Sequence, residues 1–124
     1  MMKEAGRVFI EKYKVKHPFF PVVLYEGTFE GRKYFDIQIE TGFTNEFDYL
    51  FYEKEKTGDG DDWENCIKEI LKDHFPEIVV IDLDFNSESS TFLLHGTKRN
   101  EQLKIAKLVH EICQNHANLR TYIK

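Results

Sequence analysis

The chain reads as an α+β domain, a mainly antiparallel sheet of about four to five strands with two main helices packed on one face. Three patterns predict this. Phe35, Ile37 and Ile39 alternate with Asp36, Gln38 and Glu40, which is the period of a half-buried strand. Ile78 to Phe85 opens on four consecutive β-branched residues, and a polar turn and a second short apolar run follow it, as in a hairpin. Two longer segments, Asp61 to Phe75 and about Lys98 to His116, instead repeat apolar residues every three or four positions. With 124 residues, 41% hydrophobic and 15% aromatic, the chain has the length for one core and the material to fill it, so residues 1–124 are expected to form a single domain.

Taken in order, Val8 to Val15 mixes β-branched and aromatic residues with Lys12 and Lys14, as an edge strand with a charged outer face would. Phe19 to Tyr25 reads as a strand whose Pro18 and Pro21 keep its start at an edge or outside the ladder. Gly27 to Gly31 supplies a turn, and Tyr34 to Thr41 returns as the hairpin partner. In Thr44 to Glu55 the positions of Phe47, Leu50, Phe51 and Lys54 fit one helix face, while the aromatic density fits a strand equally well; a short helix is expected. Lys56 to Gly60 is a loop. The helix after it carries Trp63, Cys66, Ile67, Ile70 and Leu71 on one stripe, and Pro76 blocks its continuation. Asn86 to Ser90 is the polar turn of the second hairpin and Thr91 to His95 its return strand. The last helix aligns Leu103, Ala106, Val109, Ile112 and Cys113.

Charge narrows the function. The chain has 22 acids against 17 bases, a net charge of -5, and Glu53 to Glu77 alone, with nine acids and four bases, accounts for the whole excess. Nucleic-acid binders draw affinity from clustered Lys and Arg, so no nucleic-acid partner is expected. The longest apolar runs are four residues, far short of the roughly 18 a membrane helix needs, and Met1 to Lys16 lacks the continuous apolar stretch of a secretory signal. Cys66 and Cys113 are too few for a disulfide framework and fall in helical segments, which fits a reducing cytoplasm.

Enzyme and metal patterns fail on spacing. A calcium loop starting at Asp59 puts Trp63 at its fifth position, and one starting at Asp82 puts Ser87 at the glycine position and Leu93 where a glutamate is needed. His110, Cys113 and His116 follow one another at three-residue steps on a helix but have no local fourth ligand, and His110-Glu111 has no histidine four residues after His110. Gly58-Asp59-Gly60 places an acid where a phosphate loop needs bare amides. Ser87, Ser89 and Ser90 crowd a turn and do not form a nucleophile elbow. No catalytic residue, metal or cofactor is therefore expected.

The most distinctive run is Gly58-Asp59-Gly60-Asp61-Asp62-Trp63. Asp61 or Asp62 would cap the following helix, with Asp61 and Glu64 at capping-box spacing, and Trp63 belongs to the buried stripe. Asp59 and Glu64 are then least needed for capping, and with Asp61 they are the candidates for meeting a partner.

At these residues the sequence resembles the immunity protein 51 family, neutralisers encoded beside bacterial polymorphic toxins, whose members carry a Gly-Asn-Gly-Tyr-Asp-Trp run opening a helix. Gly58, Gly60, Asp62 and Trp63 match that run, Asp59 stands for its Asn and Asp61 for its Tyr. The order of elements agrees over roughly residues 33–116, although the turn from Asp84 to Phe92 is longer than the family's. The resemblance implies a cytoplasmic, non-enzymatic inhibitor that binds one cognate toxin. An acidic face from Glu53 to Glu64 would meet a basic surface on that target and suits a nuclease, whose cleft must attract phosphates. Two rivals stay open: a small enzyme or metal- or ligand-binding module built on Asp59, Asp61, Asp62 and a histidine, and an adaptor that takes a peptide along a sheet edge.

Overall fold

The computed structural model describes residues 11–78 and 80–124. Its first hairpin joins β1 (Val23–Phe29) to β2 (Arg32–Glu40), with Leu24 opposite Ile37 and Phe29 opposite Arg32. The alternation behaves as the pleat requires: Phe35, Ile37 and Ile39 are buried, and Asp36, Gln38 and Glu40 face the other way, partly exposed. The turn itself is only Glu30-Gly31, both at positive φ (51° and 78°), the conformation that tightly twisted two-residue hairpins demand. Gly27, expected in the turn, lies inside β1. It is small because Tyr34 opposite lays its ring over it, within 2.2 Å of where a Cβ would stand.

β3 (Asp84–Phe85) and β4 (Thr91–His95) complete a sheet of order β1-β2-β4-β3, antiparallel throughout, with Ile37 opposite Leu94 and Ile39 opposite Phe92. The two long helices, α3 (Gly60–His74) and α4 (Arg99–Cys113), lie against this apolar face, α3 chiefly on β4 and α4 on β2. Between them they bury Trp63, Cys66, Ile67, Ile70, Leu71, Ile105, Ala106, Val109, Ile112 and Cys113. The expected architecture of an antiparallel sheet with two main helices on one face is the one observed.

Several local expectations differ. The edge strand expected over Val8 to Val15 is helical where it is described, residues 11–16 (α1); its first three positions lie outside the described residues. The helix brings Tyr13 parallel to the Phe43 ring at 3.8 Å and edge-on to Phe20, and Lys14 to Glu46 at 2.8 Å, while β-branched Val15 is left 85% exposed. Aromatic contacts there override β propensity. Residues 18–21 form turns, so the strand expected from Phe19 begins at Val23. Within the strand expected over Ile78 to Phe85, Val80–Asp82 form a 3-10 turn and only Asp84–Phe85, β3, are strand among the described residues. A β-branched run yields a strand only where a partner offers ladder bonds, and β4 pairs with just Asp84 and Phe85. Thr44 to Glu55 is helical, as a 3-10 turn Asn45–Phe47 running into α2 (Asp48–Tyr52).

The final helix ends earlier than its periodicity suggests. The Asn115 side chain accepts from the Asn118 amide and starts a separate α5 (His116–Arg120), whose Leu119, with Ile123 beyond it, closes the core. On α4 the expected Leu103 is only partly covered, and Gln102 and Ile105 are buried beside Ala106, Val109, Ile112 and Cys113. Gln102 earns burial by donating from Nε2 to the carbonyls of Phe35 (2.9 Å) and Leu94 (3.1 Å), one on β2 and one on β4.

Both cysteines are free and buried. Burial pushes the Cys66 thiol up to about 12 and raises that of Cys113 as well. Neither thiol should react with Ellman's reagent at pH 8 in the native protein, and both should react on unfolding. Rapid native labelling of either would show that the α3–α4 seam opens.

Candidate functional site

The acid-rich run lies where α2 turns back into α3. Lys56 N–H donates to the Phe51 carbonyl at 3.0 Å, and Glu55 and Gly58, at φ 60° and 78°, take the left-handed conformations that reverse the chain. Two carboxylates then fix the turn. Asp59 Oδ1 accepts from the Asp62 amide at 2.8 Å and is the N-cap. Asp62 Oδ2 reaches back to accept from the amides of Thr57 (3.1 Å) and Gly58 (3.0 Å) and from the Thr57 hydroxyl (3.3 Å). The expected cap, Asp61 or Asp62, is thus displaced to Asp59.

The physical reason is Gly60. Its N–H donates to the Ser89 carbonyl at 3.0 Å, and a Cβ would come within 1.8 Å of the Glu88 carbonyl oxygen. The first turn of α3 therefore rests on the main chain of the β3–β4 turn, which sets where the helix can begin and leaves Asp59 in the capping position. Trp63 follows, fully buried, edge-on to Phe47 and tilted against Phe51, with its indole N–H lacking an acceptor among the described residues.

Much of the acidic field is met internally. Glu64 pairs with Lys68 at 3.0 Å, Glu53 with Arg120 at 2.8 Å, and Glu69 with Lys72 (3.7 Å) and Lys124 (3.2 Å). Among the described residues no cation pairs with Glu55, Asp59, Asp61 or Asp62, and Asp61 is exposed. Of the three partner candidates, then, Asp59 is spent on a cap, Glu64 is held by a lysine, and Asp61 is open to solvent.

Residues that sequence reasoning did not single out gather beside them. The Tyr49 hydroxyl is 2.7 Å from His116 Nδ1, and Arg120 donates from Nε and Nη2 to the two oxygens of Glu53 at 2.8 and 3.2 Å. The i, i+3, i+4 spacing of Tyr49, Tyr52 and Glu53 was a visible signal for one helix face, but their α5 partners could not be read while α4 and α5 passed for one helix. On the bare face of the sheet, His95 Nδ1 meets Asp36 Oδ1 at 2.6 Å in a hollow of about 600 Å³.

The histidine and cysteine triplet does not converge. His110 Nδ1–H donates to the Phe20 carbonyl at 2.6 Å, His116 turns to Tyr49, and Cys113 is buried. Among the described residues no group of three or more His, Cys, Asp or Glu side chains is placed to hold a metal ion. Nor is any described helix long and apolar enough to cross a membrane.

The family model for immunity protein 51 matches residues 34–124, from β2 through α5. The chain belongs to the immunity protein 51 family. No curated protein and no solved structure gave a match. Membership makes this a toxin-neutralising immunity protein of a polymorphic toxin system, which acts by binding its cognate toxin and not by catalysis.

The geometry explains what the shared run does in this immunity protein. Gly58 supplies a left-handed residue, Gly60 a close backbone approach, Asp62 an acceptor for loop amides and Trp63 a core anchor. Asp59, where the run has Asn, is an equally good helix cap. Asp59→Ala should therefore cost about 1 kcal/mol in denaturant unfolding and Asp59→Asn only a few tenths. Equal losses for the two would mean that charge, and not the capping bond, is what matters.

Proposed function

We propose that this immunity protein neutralises its toxin in the cytoplasm by setting the start of α3, with Asp59, Asp61 and Glu64, against a basic surface of the toxin. The observation that carries the reading is the openness of Asp61. Every other residue of the Gly58 to Trp63 run is consumed by a turn, a cap, a close approach or the core, whereas Asp61 projects into solvent without a counter-charge among the described residues. Its position is also one where the family run carries a different residue, Tyr, so this chain departs from the run at the side chain it presents to solvent. A carboxylate there attracts a cationic partner at long range and repels an acidic one, which favours association rate and partner choice. A toxin that must hold nucleic-acid phosphates has such a cationic cleft, and a nuclease is the class that fits.

Co-expression with the toxin encoded beside this gene, followed by sizing of the mixture, tests the reading. The expected outcome is protection and a stable complex. Asp61→Lys should leave the melting temperature unchanged and slow association, by about tenfold at low ionic strength and by much less at 0.5 M salt. Failure of the wild-type protein to protect or to form a complex would remove the proposal.

A further inference from the structure

Tyr49 and Tyr52, 45% and 60% exposed, are large side chains left open on a single short helix. They share a strip with Glu53, which keeps helical geometry at the end of α2 (φ -56°, ψ -26°). The strip is braced from α5. His116 ties down the Tyr49 hydroxyl at 2.7 Å, and the Arg120 guanidinium forms a two-pronged bond with Glu53 at 2.8 and 3.2 Å. Two exposed tyrosines beside an arginine already held in place is the composition found at the energetic centre of interfaces. Because Tyr49, Glu53 and Arg120 are held before any partner arrives, binding forfeits less of their side-chain freedom.

The acidic turn adjoins this strip. Lys56 N–H bonds to the Phe51 carbonyl, and Asp48 Oδ1 lies 3.1 Å from where a Cβ of Gly58 would stand, so residues 56–58, which lead into Asp59 and Asp61, lie against α2. We infer that the outer face of α2, braced by α5, is the apolar centre of the toxin-binding surface, and that the acids of the following turn are its rim. The inference rests on the proposed docking of that turn on a basic toxin surface. The partner patch it fits has an apolar or aromatic centre flanked by Lys or Arg. A second copy of this chain fits badly, because pairing the strip with itself would set one acidic rim against another.

Kinetics of binding to the toxin encoded beside the gene separate centre from rim. Tyr52→Ala should speed dissociation by about tenfold or more while changing association less than about threefold, with the melting temperature unchanged because the ring is mostly exposed. Tyr49→Phe, which keeps the ring and frees His116, should give a smaller acceleration. Asp61→Lys should do the reverse, slowing association and leaving dissociation nearly intact. Wild-type dissociation by Tyr52→Ala from a complex that the native protein forms would overturn the placement and leave neutralisation through the acidic turn standing. Loss of self-association in that variant, with the toxin released at the native rate, would also overturn it. Absence of any complex with the native protein would take both readings down.

Discussion

Replacing Trp63 with alanine should cost about 3–5 kcal/mol in denaturant unfolding, the range for emptying a buried aromatic site. The indole is fully buried, with Phe47 edge-on to it at 5.7 Å and Phe51 tilted at 5.1 Å, and the cavity would open between α2, α3 and the sheet. Trp63→Phe should cost clearly less. The indole N–H has no acceptor among the described residues, so the smaller ring forfeits volume and no hydrogen bond. This pair also settles the role of the most conspicuous residue in the run. A tryptophan that served as a contact for the toxin would leave the alanine variant stable and its complex weak. Near-native stability of Trp63→Ala would contradict the core assignment.

Gly60→Ala is expected to be comparably severe for the smallest possible change, about 3 kcal/mol, at the upper end of the overpacking range. The added methyl would come within 1.8 Å of the Glu88 carbonyl oxygen and 2.6 Å of that of Thr91. Both are main-chain atoms, one of the β3–β4 turn and one of the first residue of β4, and cannot swing aside as a side-chain tip can. To make room, α3 would have to lift from that turn, stretching the 3.0 Å bond from Gly60 N–H to Ser89 and pulling Trp63 from its site. Ala would normally be favoured over Gly by about 1 kcal/mol inside a helix. A stabilised Gly60→Ala protein would therefore show that the approach of α3 to the turn is looser than described. The double variant with Trp63→Ala should be less destabilised than the sum of the two, since both disturb the seating of one helix.

Legibility differed between fold and site for definite reasons. Elements whose pattern follows from their own periodicity were readable: the alternation of β2, the stripe of α3 and the return strand β4 appear where Phe35 to Ile39, Trp63 to Leu71 and Thr91 to His95 place them. Elements fixed by distant partners were not. Residues 11–16 are helical because Tyr13 finds Phe43 and Phe20, Gly27 belongs to a strand because Tyr34 covers it, and the β-branched run at Val80 turns because β4 pairs only with Asp84 and Phe85 beyond it. At the site, the helix start and its acids were visible, but the duties of those acids were not. Capping passed from Asp61 or Asp62 to Asp59, and Glu64 lost its freedom to Lys68.

By itself the sequence determined the fold class, the buried stripes, the uneven distribution of charge and the resemblance to its family, because each is read from the order of residues along the chain. The tertiary structure alone decided which carboxylate is left over. That choice rests on where the β3–β4 turn allows α3 to begin, on Lys68, Arg120 and Lys124 reaching their acids, and on α5 folding back to brace α2. Free charge and open aromatic surface are what remains after packing and pairing have taken their share, and a linear pattern does not contain that remainder.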